Sequence, residues 1–486
     1  MIRSLIRLDM ALLNRSRAFW LLLLLLAVSA AFALVSGLDW RNRYVGAAQA
    51  ARVQVAEDRA LLAKVYDDLE AGIRTPTDDE SYDGDGEYIP DPRDPYVAGY
   101  YHTQLAELPA GSLLGLATGS TELRTAYHLI KSVPIANLVR IGEPAERVNP
   151  GALAAGRFDL LAFIIYLCPL ALVILLFDAV ARELERNEQA TLLAGLGATQ
   201  RELLLARGIT RGSVILSIAL AASVIGLAIL GQLLSMAALA WLLGVTLYLL
   251  FWTTLLLGVA SLRFGVVGSA AISVALWVIL LLVSPGLTER GLRPPGLLEP
   301  RVLADAEVRR IVREASADED ARQAAKAKVA RDYWRIDFAK APACANREGV
   351  LREYVLRRLS DETYAKAMRT GRLREALYDQ RLNRWGWLSP VLGFSRAMEM
   401  FAGVEPARQR AFEEQVFSFH AQWRNRVTDA LFTCHRFTRN DFENAPQFQW
   451  REPKNGFVPW LTILFVAILA LLLGRFALRL YPLYKK

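Results

Sequence analysis

Residues 178–207 read DAVARELERNEQATLLAGLGATQRELLLAR. The stretch is charged, helical in pattern and set between two apolar runs, and that placement decides the fold. Residues 178–193 continue the preceding apolar helix into water. Gly195 and Gly197 allow a sharp turn that a continuing helix refuses. Thr199 followed by Glu202 spells a capping box, so the next helix starts there with its first N–H groups satisfied. Leu203, Leu204 and Leu205 then lead back toward the bilayer. The pattern predicts a helical hairpin over 178–212. A stiff finger tied to two spans moves both when it is pushed; a plain connecting loop is the alternative that pattern alone leaves open.

About 20 apolar residues cross the hydrocarbon of a bilayer. Working outward, the run before the hairpin is a span over 157–177, and Pro169 near its middle predicts a kink, because proline removes a helical N–H. The run after the hairpin holds no charge from Ser213 to Leu262. It is too long for one helix, and Gly231, Gln232 and Ser235 mark a tight turn. Spans over 213–231 and 236–260 follow, then a short loop at Arg263 and a span over 266–285 that ends at Ser284-Pro285-Gly286. Residues 18–38 carry no charge, and the run exceeds the apolar core of about 7–15 residues in a signal peptide, so an uncleaved span is expected. The last span covers 457–474. Residues 1–17 hold Arg3, Arg7, Arg15 and Arg17 against Asp9, with Ile2, Leu5, Ile6, Leu12 and Leu13 able to share a face. This reads as an interfacial helix on the inner leaflet, or simply as a positive flank.

Two long water-soluble segments remain. In residues 39–156, a long helix is expected from about Gly46 to Ile73. An acidic loop follows at 78–87 (DDESYDGDGE); Asp79, Ser81, Asp83 and Gly84 match part of a calcium-loop pattern, but its terminal acid position falls on Pro90. A solvated loop is the better reading. Residues 286–456 are charged and helical in pattern, with Trp334, Trp385, Trp387, Trp423 and Trp450 as material for a core. The expected fold is therefore a mainly α polytopic membrane protein. It has six transmembrane helices and two largely helical extracytoplasmic segments, one after the first span and one before the sixth.

The chain has 486 residues, 53% hydrophobic and 22% charged, a mixture suited to spans carrying sizeable soluble parts. The net charge of +8 is spread among acids and flanks the apolar runs, so it is no nucleic-acid signal. Short loops rich in Lys and Arg face the cytoplasm. The N-terminal arm, the hairpin, Arg263 and the tail at 475–486 then lie inside, both termini are cytoplasmic, and both large segments lie outside. The three cysteines exclude a disulfide-dense scaffold. Cys168 lies in a span, leaving Cys344 and Cys434 as an outer pair; an oxidising compartment favours a disulfide between them, with two buried thiols as the alternative. Cys434-His435 is adjacent rather than spaced like a structural zinc site.

No GxxxxGK[ST], HExxH or GxSxG occurs, so no nucleotide-binding or hydrolase motif stands in this chain and no enzyme activity is expected of it. The spans carry almost no ionisable residue in their middles, which argues against ion-driven transport, since such a charge is kept only for function. Energy must enter elsewhere, and the hairpin is where it can.

The stretches Asn149-Pro150, Gly156-Arg157-Phe158-Asp159, residues 166–170 (YLCPL), Asp178, Glu188 and residues 191–193 (TLL) resemble the ABC-2-type transporter permeases. Residues 440–442 (NDF), 446–448 (PQF) and 451–453 (REP) before the last span resemble the subfamily of unknown function with two large extracytoplasmic segments. The resemblance implies six spans per permease, two permeases side by side as homo- or heterodimer, and two ATPase subunits below that bind ATP and Mg. It implies no cofactor in this chain and a bacterial inner-membrane location. It places the ATPase contact on the helix after the second span, which carries over to Glu183, Glu185, Arg186, Glu188 and Thr191, joined by the capping pair Thr199 and Glu202. Ala190 stands where the family has glycine, and the distance from Asp178 to Thr191 is about a turn longer than the pattern. Residues 196–201 (LGATQR) are similar to an element of mechanotransmitting ABC permeases. Three functions follow as expectations: an ATP-driven exporter subunit, a mechanotransmitter working on a periplasmic partner without transmembrane passage, or an envelope sensor or scaffold with no ATPase.

Overall fold

A computed structural model describes residues 1–73, 91–123, 125–134, 157–178, 199–262, 264–294, 300–334, 348–453 and 458–479. The acidic loop at 78–87 and Arg263 lie outside them. The protein is mainly helical. Helix α1 covers Ile2–Asn14. Ser16, whose hydroxyl accepts from the Phe19 amide, then caps α2, Arg17–Glu70. The expected first span and the expected helix from Gly46 are thus one rod of 54 residues, about 80 Å at 1.5 Å per residue. No proline interrupts residues 17–70, and Arg43 pairs with Asp39 one turn earlier, at 3.0 Å, where the apolar run ends.

The apolar bundle continues with α4 (Leu160–Leu176), α5 (Gln200–Ile229), α6 (Met236–Ser261) and α7 (Val266–Leu292), and ends with α14 (Val458–Arg479). Among the described residues, five helices are long and apolar enough to cross a membrane: α2, α5, α6, α7 and α14; α4 is shorter but apolar. The turn between α5 and α6 falls where the sequence places it, with Gly231 at φ +67° and Ser235 capping α6. In α4 the helix widens to a π turn at Phe163–Leu167, directly before Pro169. A proline at 169 cannot donate to the carbonyl of residue 165. The buried Tyr248 hydroxyl of α6 donates to that Ile165 oxygen instead, at 3.2 Å.

The two long segments share one core. Helix α3 (Pro95–Tyr101) and a two-stranded antiparallel ribbon, β1 (Gln104–Glu107) with β2 (Tyr127–Ile130), come from the first. Gln104 lies opposite Ile130 and Glu107 opposite Tyr127. The second contributes α8 (Pro300–Ala315), α9 (Glu319–Val329), α10 (Glu348–Trp385), α11 (Pro390–Ala402), α12 (Pro406–Thr433) and α13 (Arg439–Glu443). Tyr66 from the far end of α2, Ala106, Ile130, Phe412 and Trp423 are buried in this common core. Cross-segment polar links add to it: Arg408 to the Pro109 carbonyl at 2.9 Å, and Arg436 to Asp91.

Two expectations need correcting. Trp423 is fully buried, but Trp385 and Trp387 are 42% and 38% exposed. They flank the foot of α10, where Trp387 packs on Phe465 of α14 with ring centroids 5.1 Å apart; amphipathic indoles favour such a boundary between apolar and wet surroundings. The short helix α11 also belongs to the bundle side. Phe394 stacks on Tyr248 at 4.1 Å, and Ala397 and Met398 join the same apolar cluster as the spans.

His102 sits at the centre of the common core, its Nε2 3.2 Å from the Tyr66 hydroxyl and its ring against Phe442 and Trp423. Burial, aided by Arg59 and Arg426, pushes its pKa down to about 3. Burial lowers that of His420 as well. The unfolded chain takes up these protons near pH 6.5, whereas in the folded chain His102 refuses its proton until about pH 3 and His420 binds its own less readily. Stability therefore falls as pH drops below about 6.5, by ~1.4 kcal/mol per unit from His102, and His420 contributes in the same direction. The thermal midpoint is expected to decline between pH 7.5 and 5.5, and His102→Asn to make that decline shallower. An unchanged slope in the variant would place the titration elsewhere.

Candidate functional site

The expected contact residues Glu183, Glu185, Arg186, Glu188 and Thr191 lie outside the described residues, as does Cys344. The residues at both ends of the expected hairpin, Asp178 and Thr199, are described. At the second root the Thr199 hydroxyl accepts from the Glu202 amide at 3.2 Å, and the Glu202 carboxylate accepts from the Thr199 amide at 3.0 Å. The capping box is formed, and α5 starts there as one helix that carries on through the apolar bundle. The hairpin's return arm and the following span are therefore a single rigid piece.

One to three turns further along α5, Arg207 and Arg211 turn inward. The Arg211 guanidinium holds the first root: its Nη1 donates to Asp178 Oδ1 at 3.0 Å and to the Leu175 carbonyl. The same side chain reaches α1, with Nη2 3.1 Å from Asp9 Oδ1 and Nε 3.3 Å from Asp9 Oδ2. Arg207 approaches Asp9 at 3.6 Å. Asp9 is buried, and Leu5 and Ile6 beside it pack on Leu203 and Ala206. Two carboxylates meet two guanidiniums, and the bidentate pairing of Asp9 with Arg211 fixes orientation as well as charge. The arrangement joins α1, the end of α4 and the start of α5 at one point. We call it the clamp.

Its register is a matter of helical period. Leu5 and Asp9 are four apart on α1, and Leu203, Arg207 and Arg211 are each four apart on α5, so each set lines one stripe. The sequence offered a signal: Asp9 is the lone acid in a basic arm, and Arg207 and Arg211 repeat at helical spacing before an uncharged run. Of the two expectations for this arm, an interfacial helix or a positive flank, the first would turn Leu5 toward lipid. Leu5 is instead buried against α5, while Leu8 and Leu12 stay exposed.

Helix α5 is pressed onto α6 at the same level. Gly208 and Gly212 form a small-xxx-small pair of the kind that brings apolar helices close. A Cβ on Gly208 would lie 2.5 Å from Leu257 Cδ1, and one on Gly212 3.1 Å from Thr253 Cγ2. The bundle's opposite end is closed by residues 109–123. Thr118 donates its amide and hydroxyl to the buried Asp159 carboxylate at 2.8 and 3.0 Å, the Leu161 amide bonds the Leu116 carbonyl, and Leu113 and Leu114 are fully buried. Trp40 of α2 donates to the Thr121 hydroxyl at 3.0 Å. Cys434 is disulfide-bonded, whereas Cys168 is free and buried. No group of three or more potential metal ligands occurs among the described residues.

Residues 3–294 match the ABC-2 family transporter proteins, well over half of the chain. The chain belongs to the ABC-2 transporter family. It is a membrane-embedded permease of an ABC system, a class that works with ABC ATPase partners. Residues 301–451 of the permease match a domain of unknown function (DUF3526), which covers α9 to α13 and most of α8. No curated protein and no solved structure matches the permease. The clamp lies within the ABC-2 portion, and of its four charged residues only Asp178 belongs to the stretches that carry the family resemblance.

Removing one partner of a buried ion pair costs about 3–5 kcal/mol, because the other charge is stranded. Asp9→Asn is expected to weaken the seating of α1 by that order. Limited trypsin digestion should then cut at Arg7 or Arg15 several-fold faster than in the parent protein. Equal cleavage rates would mean that Asp9 does not hold α1.

Proposed function

We propose that this permease is the membrane subunit of an ATP-driven exporter, energised by a separate ATPase docking on the hairpin at 178–212. The observation that carries the reading is the clamp: both roots of the hairpin and the N-terminal helix are tied through Arg211. A displacement of the hairpin is passed to α4 and α5 together and drags α1 with them. ATP and Mg bind in the partner, and this chain performs no catalysis and needs no cofactor of its own. The hairpin, α1 and both termini face the cytoplasm of a bacterial inner membrane, following the distribution of Lys and Arg in the short loops. The shared body of the two long segments then faces the periplasm, where the bond at Cys434 is chemically at home and Cys344 is the partner expected from the sequence. A second copy or a paralogue completes the passage, and the seal at residues 109–123 opens at the outer end.

One observation favours a second reading. Helix α2 runs without a break from the clamp end of the bundle to Tyr66 in the common core of the outer body. Such a rod suits a mechanotransmitter that works on a periplasmic partner. Net movement of a solute across sealed vesicles separates the two readings.

The docking proposal is tested by co-purifying the tagged permease from its native membranes. An ABC ATPase is expected with it. Glu188→Ala or Thr191→Ala should leave the permease folded while lowering the recovered ATPase or its permease-stimulated activity by about ten-fold. Recovery of no ATPase with the parent protein, or full coupling in both variants, would end the reading.

A further inference from the structure

Away from the bundle, helices α10 and α12 diverge and leave an open cavity of about 450 Å³, within the range of small-ligand sites. It lies inside the domain of unknown function. Its walls differ in character. Phe417, Leu373 and Ala421 supply apolar surface, and Arg369 and Arg372 supply charge. The two arginines are three apart on α10, so they share a face.

The state of Arg372 is unusual for a half-buried guanidinium. Arg372 lies over the Phe417 ring, 4.1 Å from its centroid. Its Nη2 is buried and has no hydrogen-bond partner, and a buried donor left unmade costs free energy. Arg369 is exposed and makes no ion pair among the described residues. Two of the neighbouring acids are engaged elsewhere, while Glu413, Glu414 and Glu375 act on Arg372 through space and leave its Nη2 without an acceptor. Asp361 accepts from Arg424 at 2.7 Å and Glu362 pairs with Arg358 at 3.0 Å. Glu413 is buried next to Phe412, and Glu414 stands exposed on the α12 wall. The apolar surface continues along α10 from Leu373 in the cavity wall, 61% exposed, to Leu377 outside it, 50% exposed.

We propose that this cavity binds a small anionic amphiphile, with a carboxylate or phosphate held by Arg369 and Arg372 and an aromatic or short alkyl group against Phe417 and Leu373. The anion gives the Arg372 Nη2 donor the acceptor it lacks, and planar guanidiniums suit the two oxygens of such a group. The apolar part covers surface that water now meets. The site is separate from the clamp, so it stands or falls independently of ATPase docking. The ligand can be a free metabolite-sized anion or the headgroup region of an anionic lipid, and both present the same chemistry.

The test uses the full chain in nanodiscs of zwitterionic lipid, with phenyl phosphate as the probe and isothermal titration as the readout. Saturable binding is expected, stronger than that of inorganic phosphate or phenol. Arg372→Gln should weaken it roughly ten- to hundred-fold, in line with loss of a charge-assisted hydrogen bond. Arg369→Gln, at an exposed position that folding does not need, should weaken it by about ten-fold. If nanodiscs containing anionic lipid abolish probe binding to the parent protein, the ligand is a lipid headgroup; if they do not, it is a soluble anion. Either result supports the site. Absence of saturable binding, or parent affinity retained in both arginine variants, overturns it.

Discussion

Asp9 is a carboxylate with almost no access to water, and its charge is met by Arg211 and Arg207. Taking these groups out of solvent costs several kcal/mol each, and the cost is recovered only if all partners stay in place with good geometry. The position of α1 therefore depends on the position of α5, and both depend on Asp178 at the end of α4. A hydrophobic contact would tolerate sliding by a few ångströms. A desolvated, bidentate ion pair does not, because a small shift strands a charge. In the proposed exporter, rigidity at this point would let motion at the hairpin be carried inward instead of being absorbed.

The rest of the molecule extends that rigidity. Helix α5 is one piece from Thr199 to the far end of the bundle, and Gly208 and Gly212 let it sit directly on α6. Helix α2 begins beside α1 and ends in the core of the body formed by the two long segments, so bundle and body share a structural member. At the far end, Asp159 caps α4 and also holds Thr118 of the closing loop. The same helix is thus bonded to the clamp at one end and to the closing loop at the other. The two buried aspartates, one at each end of the bundle, are the points where polar bonding overrides the freedom that apolar packing leaves.

Much of this was legible in the sequence because it follows from local chemistry. Uncharged runs of membrane length, the glycine turn at Gly231 and the Thr199–Glu202 cap depend on residues within a few positions of one another. The clamp was not legible, since Asp9 and Arg211 are 202 residues apart and nothing local distinguishes a paired buried carboxylate from a stray surface one. The continuity of α2 was missed because the change from apolar to charged at Asp39 reads as a boundary, although helix propensity does not change there. The exposed Trp385 and Trp387 show the same limit in reverse: composition says that an indole buries surface, and only the packing of α11 and α14 says which indoles are covered. The hairpin tip, where Glu183 to Thr191 were expected to meet the ATPase, lies outside the described residues.

The central claim is that α1 and α5 move as one body. It is tested most directly by spin labels at Ser4→Cys and Ile209→Cys in a Cys168→Ala background, with distances measured in the ATPase-bound complex before and after ATP is added. The Ser4–Ile209 distribution should stay narrow and fixed, while a second pair from Ile209→Cys to Val267→Cys on α7 shifts. A change of several ångströms between α1 and α5 would contradict the account.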